Sequence, residues 1–143
     1  MHVAHLLQSR ARTDIVHCAP DTALRDAVRR FADNRIGAMP VLDGGDLVGI
    51  VSERDVIQCL ALSGAQVLDR PVREAMTAPV VSVGCDTGCD AALALMTARR
   101  IRHLPVVEQG EMHGFLSIGD LVAARLEEVS GEADALRSYI RSA

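Results

Sequence analysis

Aromatic side chains are almost missing from this sequence: 143 residues hold no Trp, one Tyr and two Phe. A core must therefore be built from Ala, Val, Leu, Ile and Met, and the stacking platforms that grip single-stranded nucleic acid have no material. Lysine is absent, so all 15 basic side chains are Arg. We read this as a compositional bias of the source genome rather than selection for bidentate phosphate binding. The four cysteines, Cys18, Cys59, Cys85 and Cys89, include no C-x-x-C pair, which excludes a disulfide framework or a zinc knuckle and leaves them as small apolar core residues. No apolar run approaches the roughly 20 residues of a membrane helix. Met1–Arg10 lacks a basic stretch followed by an apolar core and a small-residue cleavage site, so it does not read as a signal peptide. A cytoplasmic protein with no membrane contact is expected. A formal net charge of -4 argues against a general polyanion binder, and no nucleic acid partner is expected.

What the sequence does have is ordinary globular material, with 49% hydrophobic and 24% charged residues in about one domain's length. It also has an internal repeat. Shifted by 65 residues, Val16–Ile57 aligns with Val81–Val122 without a gap, and 12 of 42 positions are identical. About three identities would arise by chance from ordinary residue usage. Among the twelve are Asp21/Asp86, Thr22/Thr87, Arg35/Arg100, Ile36/Ile101, Pro40/Pro105, Gly49/Gly114, Ser52/Ser117 and Asp55/Asp120.

Both copies carry the same periodicities. A short apolar strand (Ile15 and Val16; Val80, Val81 and Val83) leads to Asp-Thr at the position of a helix N-cap. Apolar residues at i, i+3, i+4, i+7 follow, Leu24, Ala27, Val28 and Phe31 in one copy and Cys89, Ala92, Leu93 and Met96 in the other. Arg35 and Arg100 close these helices, where a cation complements the dipole. Two β-rich runs come next, Met39–Leu42 with Leu47–Val51, and Leu104–Val107 with Met112–Leu116, joined by hairpin-type turns. A second helix starts at Ser52 or Ser117. Each unit reads β-α-β-β-α. Residues 1–70 hold the first repeat with an N-terminal segment and 71–126 the second, with Pro71–Met76 as a short helical connector. Residues 127–143 read as a terminal amphipathic helix interrupted at Ser130-Gly131, packed on its own domain or on a second subunit.

The most informative strings are Gly49-Ile50-Val51-Ser52-Glu53-Arg54-Asp55 and Gly114-Phe115-Leu116-Ser117-Ile118-Gly119-Asp120. Ser-x-x-Asp after a strand is a capping box, its hydroxyl and carboxylate satisfying the free amides of a helix start. It also suits a sugar, because an Asp in the first helical turn accepts hydrogen bonds from two ribose hydroxyls. Recurrence does not separate these readings, since a duplicated cap recurs too. Catalytic arrangements are absent from the sequence: Cys18 beside His17 is the one nucleophile-like pair, and strand neighbours point to opposite faces. His2, His5, His17 and His113 have no metal-ligand spacing. A non-enzymatic protein without a metal is expected.

The run Asp-Thr, amphipathic helix, Arg-Ile-x-x-apolar-Pro-Val, Gly-apolar-apolar-Ser-x-x-Asp resembles the cystathionine-β-synthase (CBS) domain, and two copies resemble the CBS pair, or Bateman module. The resemblance covers Met1 to Leu126. It implies an α/β fold of two tandem β-α-β-β-α repeats related by pseudo-two-fold symmetry. It further implies two clefts for adenosine-containing ligands, a regulatory role toward a partner protein, and a homodimer. The ligands in order of expectation are AMP, ADP or ATP, then NAD(H), then S-adenosylmethionine. Carried over by residue, the first cleft takes Ser117 and Asp120, the basic pair Arg102 and His103, and Thr13, Ile15, Ile36, Gly37 and Ala38 from the opposite copy. The second takes Ser52 and Asp55, with Thr77, Val80, Ile101 and Arg102 opposite. There Gly37-Ala38 stands in place of a basic pair, Arg54 being a partial substitute, so the two clefts are expected to differ in phosphate affinity. A structural module whose clefts hold nothing is the other reading.

Overall fold

The computed structural model describes residues 1–8 and 15–142. In the first repeat α2 (Leu24–Asn34) buries Leu24, Ala27 and Phe31, the stripe expected from their spacing, while Val28 at its rim stays 38% exposed. In the second, α4 (Cys89–Arg99) buries Cys89, Ala92 and Met96. The helix starts differ from the sequence reading. Ala23 and Gly88 are the N-cap residues, without side-chain capping bonds. Thr22 and Thr87 instead accept hydrogen bonds from the amides of Ala19 and Gly84, closing the turn before the helix, and Asp21 pairs with Arg73. Hydroxyls compete for whichever nearby amide is free, and here it lies upstream. Arg35 and Arg100 end the helices in left-handed conformation, φ 52° and 54°.

Each repeat then forms a hairpin, β1 (Ala38–Asp43) with β2 (Asp46–Ser52) and β3 (His103–Glu108) with β4 (Glu111–Ser117). Gly44 and Gly45 turn the first with φ of 58° and 93°, values glycine adopts at little cost. Both hairpins shift register at the same place, after Val41 and after Val106. The expected leading strands shrink to single parallel bridges, Cys18 with Val41 and Val83 with Val106.

The repeats exchange their leading segments. The N-terminal α1 (Val3–Gln8) docks on the second repeat: Val3 donates to the Thr87 carbonyl, Cys89 to that of Met1, and Val3 is fully buried among Met96, Leu104 and Leu116. The segment that precedes the second repeat, around the 3-10 turn Val72–Glu74, docks on the first: Val72 donates to the Thr22 carbonyl, Leu24 to that of Arg70, and Val72 is fully buried with Met39, Val41 and Val51. Each buried Val contributes about 1.5–3 kcal/mol. Two cores result, one per repeat, each completed by chain from before the other.

The second helix of the first repeat is α3 (Glu53–Ser63). Its counterpart α5 runs from Ile118 to Ser142 without a break, so the tail beyond residue 126 continues this helix through Ser130 and Gly131 rather than forming a separate element. Among the described residues no helix is long and apolar enough to cross a membrane.

Candidate functional site

A cleft opens where β2 hands over to α3. Ser52 and Asp55 form a reciprocal capping box: the Asp55 amide donates to Ser52 Oγ at 3.2 Å, and the Ser52 amide and hydroxyl both donate to Asp55 Oδ2 at 2.9 Å. Cap and cleft wall are thus one structure. Asp55 Oδ1 faces the other way, toward the Thr77 hydroxyl at 3.4 Å. Thr77 belongs to the exchanged segment and is fixed by two backbone bonds with Ile50, of 2.8 and 3.1 Å.

The cleft has a volume of about 630 Å³, within the range of small-molecule sites. One wall is Gly37, Ala38, Ile50, Ser52, Glu53, Arg54, Asp55 and Ile57; the opposite repeat supplies Thr77, Pro79, Val81, Arg100, Ile101, Arg102 and His103. Its lining combines aliphatic side chains with three arginines and two carboxylate residues. A flat apolar-faced ring carrying an anionic group suits that arrangement.

His103 stands between the two Ser-x-x-Asp motifs. A Cβ placed on Gly37 would lie 4.0 Å from its Cε1, in ordinary van der Waals contact, so the second repeat's imidazole sits close to the first repeat's backbone. Burial holds the imidazole pKa below its ordinary value and the Arg102 charge adds to this, against the opposing pull of Asp120 and Glu53. In the second motif the Ser117 amide donates to Asp120 Oδ2 at 2.8 Å and the Asp120 amide to Ser117 Oγ at 3.2 Å. This repeats the geometry of the first cap.

Of the residues assigned to the second cleft, the structure brings together Ser52, Asp55, Arg54, Thr77, Ile101 and Arg102. Pro79 and Val81 line it while Val80 between them does not, as alternation along an extended chain requires. Gly37, Ala38 and His103, assigned to the first cleft, line this one. The basic pair reaches Ser52 and Asp55 because it comes from the opposite repeat. Ser117 and Asp120 lie outside this cleft. Ile15 and Ile36 are half-buried, Ile36 against the first core, and Thr13 lies outside the described residues. Sequence reasoning missed Glu53, Ile50, Ile57, Pro79 and Val81, and took Arg100 only as a helix end. Glu53 stands within the motif itself, so motif membership was the available signal.

The cysteines behave as apolar residues. Burial pushes the Cys18 thiol up to about 11 against the pull of Arg30, and raises that of Cys89. His17 is exposed, its Nδ1 2.9 Å from the Ile15 carbonyl, while Cys18 is buried. Among the described residues no group of three or more His, Cys, Asp or Glu is placed to hold a metal ion.

Comparison with known families decides the assignment of this architecture, because the CBS domain model matches twice, over residues 3–62 and 72–127. The chain belongs to the CBS-domain family. Its two repeats form a CBS pair similar to the crystal structure of the CBS-domain containing protein ATU1752 from Agrobacterium tumefaciens. That similarity has 38% identity and a TM-score of 0.83, over 87% of this chain and 99% of that one. The crystal structure of CBSX2 in complex with AMP is 27% identical with a TM-score of 0.76, over 88% of this chain and 96% of that one. The mitochondrial CBS domain-containing protein CBSX3 of Arabidopsis thaliana is 34% identical over 129 residues, 87% of this chain. The CBS pair described here spans 63% of that relative's length.

Proposed function

We propose that this CBS pair is a regulatory sensor without catalysis of its own, which binds an adenine nucleotide reversibly between its repeats and modulates a partner protein as a homodimer. AMP, ADP or ATP is the leading ligand class, followed by NAD(H) and S-adenosylmethionine. One observation carries the reading: Asp55 commits Oδ2 to the helix cap and leaves Oδ1 facing the Thr77 hydroxyl, in a cleft that three arginines also line. In this role Oδ1 accepts the ribose hydroxyls, the aliphatic walls enclose adenine, and Arg102 with Arg54 or Arg100 meets phosphate. The AMP complex of the similar CBSX2 supports the ligand class. The dimer draws support from Ile57 and Val122, repeat-related positions that are 62% and 44% exposed on α3 and α5.

A thermal-shift screen with AMP, ADP, ATP, NAD and S-adenosylmethionine tests the reading, since a ligand selective for the native state raises the melting temperature by mass action. At least one of them is expected to do so. No shift with any at millimolar concentration would sink the sensor and leave a structural module.

A further inference from the structure

The CBS domain match ends at residue 127, yet α5 continues to Ser142. At about 1.5 Å per residue this continuation is a rod of roughly 22 Å. Its ion pair Arg137–Asp134 and its Ser142–Tyr139 hydrogen bond stay within the helix. Apolar residues nevertheless run along one edge: Val122, Leu126, Val129, Ala133, Leu136 and Ile140. Their spacings are 4, 3, 4, 3 and 4, the a/d pattern of a coiled-coil seam. The five large ones are between 44% and 65% exposed, whereas Leu121, packed in the second core, and Ala124 are buried away from that edge.

We propose that this edge of α5 is the seam of a parallel two-stranded coiled coil with a second copy of the chain. The charges flanking the seam select both occupant and direction. With Leu126, Ala133 and Ile140 at a, Glu132 falls at g and Arg137 at the e position that follows, so in a parallel pair each Glu132 meets the partner's Arg137 on both sides of the seam. The antiparallel register that joins the same six positions sets Glu132 against the partner's Glu132. Three heptads alone form a marginal coiled coil, but this helix is already nucleated by its buried first turns. The proposal rests on the homodimer of the sensor reading and goes beyond it in assigning the tail, its direction and its register.

Sedimentation equilibrium of the full chain tests it. The parent chain is expected at twice 15.3 kDa. Leu136→Glu, at a 60% exposed site that leaves the fold intact, should weaken dimerisation by roughly tenfold or more. Glu132→Arg should weaken it too, and Glu132→Arg with Arg137→Glu should restore it. Ala133→Cys in a Cys59→Ser background should form an intermolecular disulfide, because equivalent a positions meet only in the parallel pair. A monomeric parent chain overturns the seam and the homodimer together. A parent dimer that Leu136→Glu leaves unchanged overturns the seam alone, and failure of the charge exchange to restore pairing overturns the parallel direction.

Discussion

His103 lies nearly flat over Phe115, with ring centroids 5.6 Å apart and planes 12° from parallel. The imidazole is half-buried, and folding therefore competes with its protonation. The unfolded imidazole titrates near 6.5, and burial, helped by Arg102, holds the folded one lower. Below the unfolded value the unfolded chain binds more protons, so stability present above it is lost as pH falls through the folded value. Thermal melts from about pH 7 to about pH 5 should show a smaller loss for His103→Gln than for the parent chain. Identical slopes would show that this imidazole titrates alike in both states.

Asp55 has separable tasks on its two oxygens. Asp55→Ala should cost about 0.5–2 kcal/mol of stability through the lost cap, and weaken AMP binding by about 1.5–3 kcal/mol through the lost charge-assisted bonds. Asp55→Asn keeps a cap acceptor, so its melting temperature should stay nearer the parent's while its affinity does not. Calorimetry with AMP and 2′-deoxy-AMP provides the check. Equal affinity for the two sugars would reduce Asp55 to a cap.

Arg102 should matter to ligands in proportion to their phosphate charge. Arg102→Ala is expected to weaken AMP by about 1.5–3 kcal/mol and to leave adenosine nearly unchanged, with the AMP effect shrinking at high salt. Titrations at two ionic strengths decide this, and parallel losses for both ligands would point to lost packing instead.

Gly49 is seated under Met76, whose Sδ would lie 2.6 Å from a Cβ built there, with the Thr77 carbonyl at 3.2 Å. Gly49→Ala should destabilise by about 1–3 kcal/mol in urea titrations, and Met76→Ala should recover part of that loss. Gly114 meets Leu7 in the same way in the other repeat. A double variant no better than Gly49→Ala would place the strain in the backbone.

The repeat, the hairpins and the two caps were legible because each rests on contacts local in sequence: a 3.6 period, a two-residue turn, a Ser three residues before its own Asp. The exchange of leading segments was not, since Val3 and Val72 carry no mark of which repeat will bury them. The cleft was legible in its polar residues, Ser52, Asp55, Thr77 and Arg102, and less so in its walls. Pro79 and Val81 face it through the phase of an extended chain, which the anchoring of Thr77 on Ile50 and of Val83 on the second hairpin sets. Asp21 and Thr22 misled because Arg73 engages the one and the amide of Ala19 the other, and Ser130-Gly131 because helix propagation from a docked start outlasts two weak formers.

The exchange also ties the fate of the two halves together. Val3, at the start of the chain, closes the interior of the second repeat, and Val72, before the second repeat, closes that of the first. Cutting away either leading segment would therefore open the hydrophobic interior of the half of the chain that it does not lead into. The two halves are laced through one another rather than strung side by side.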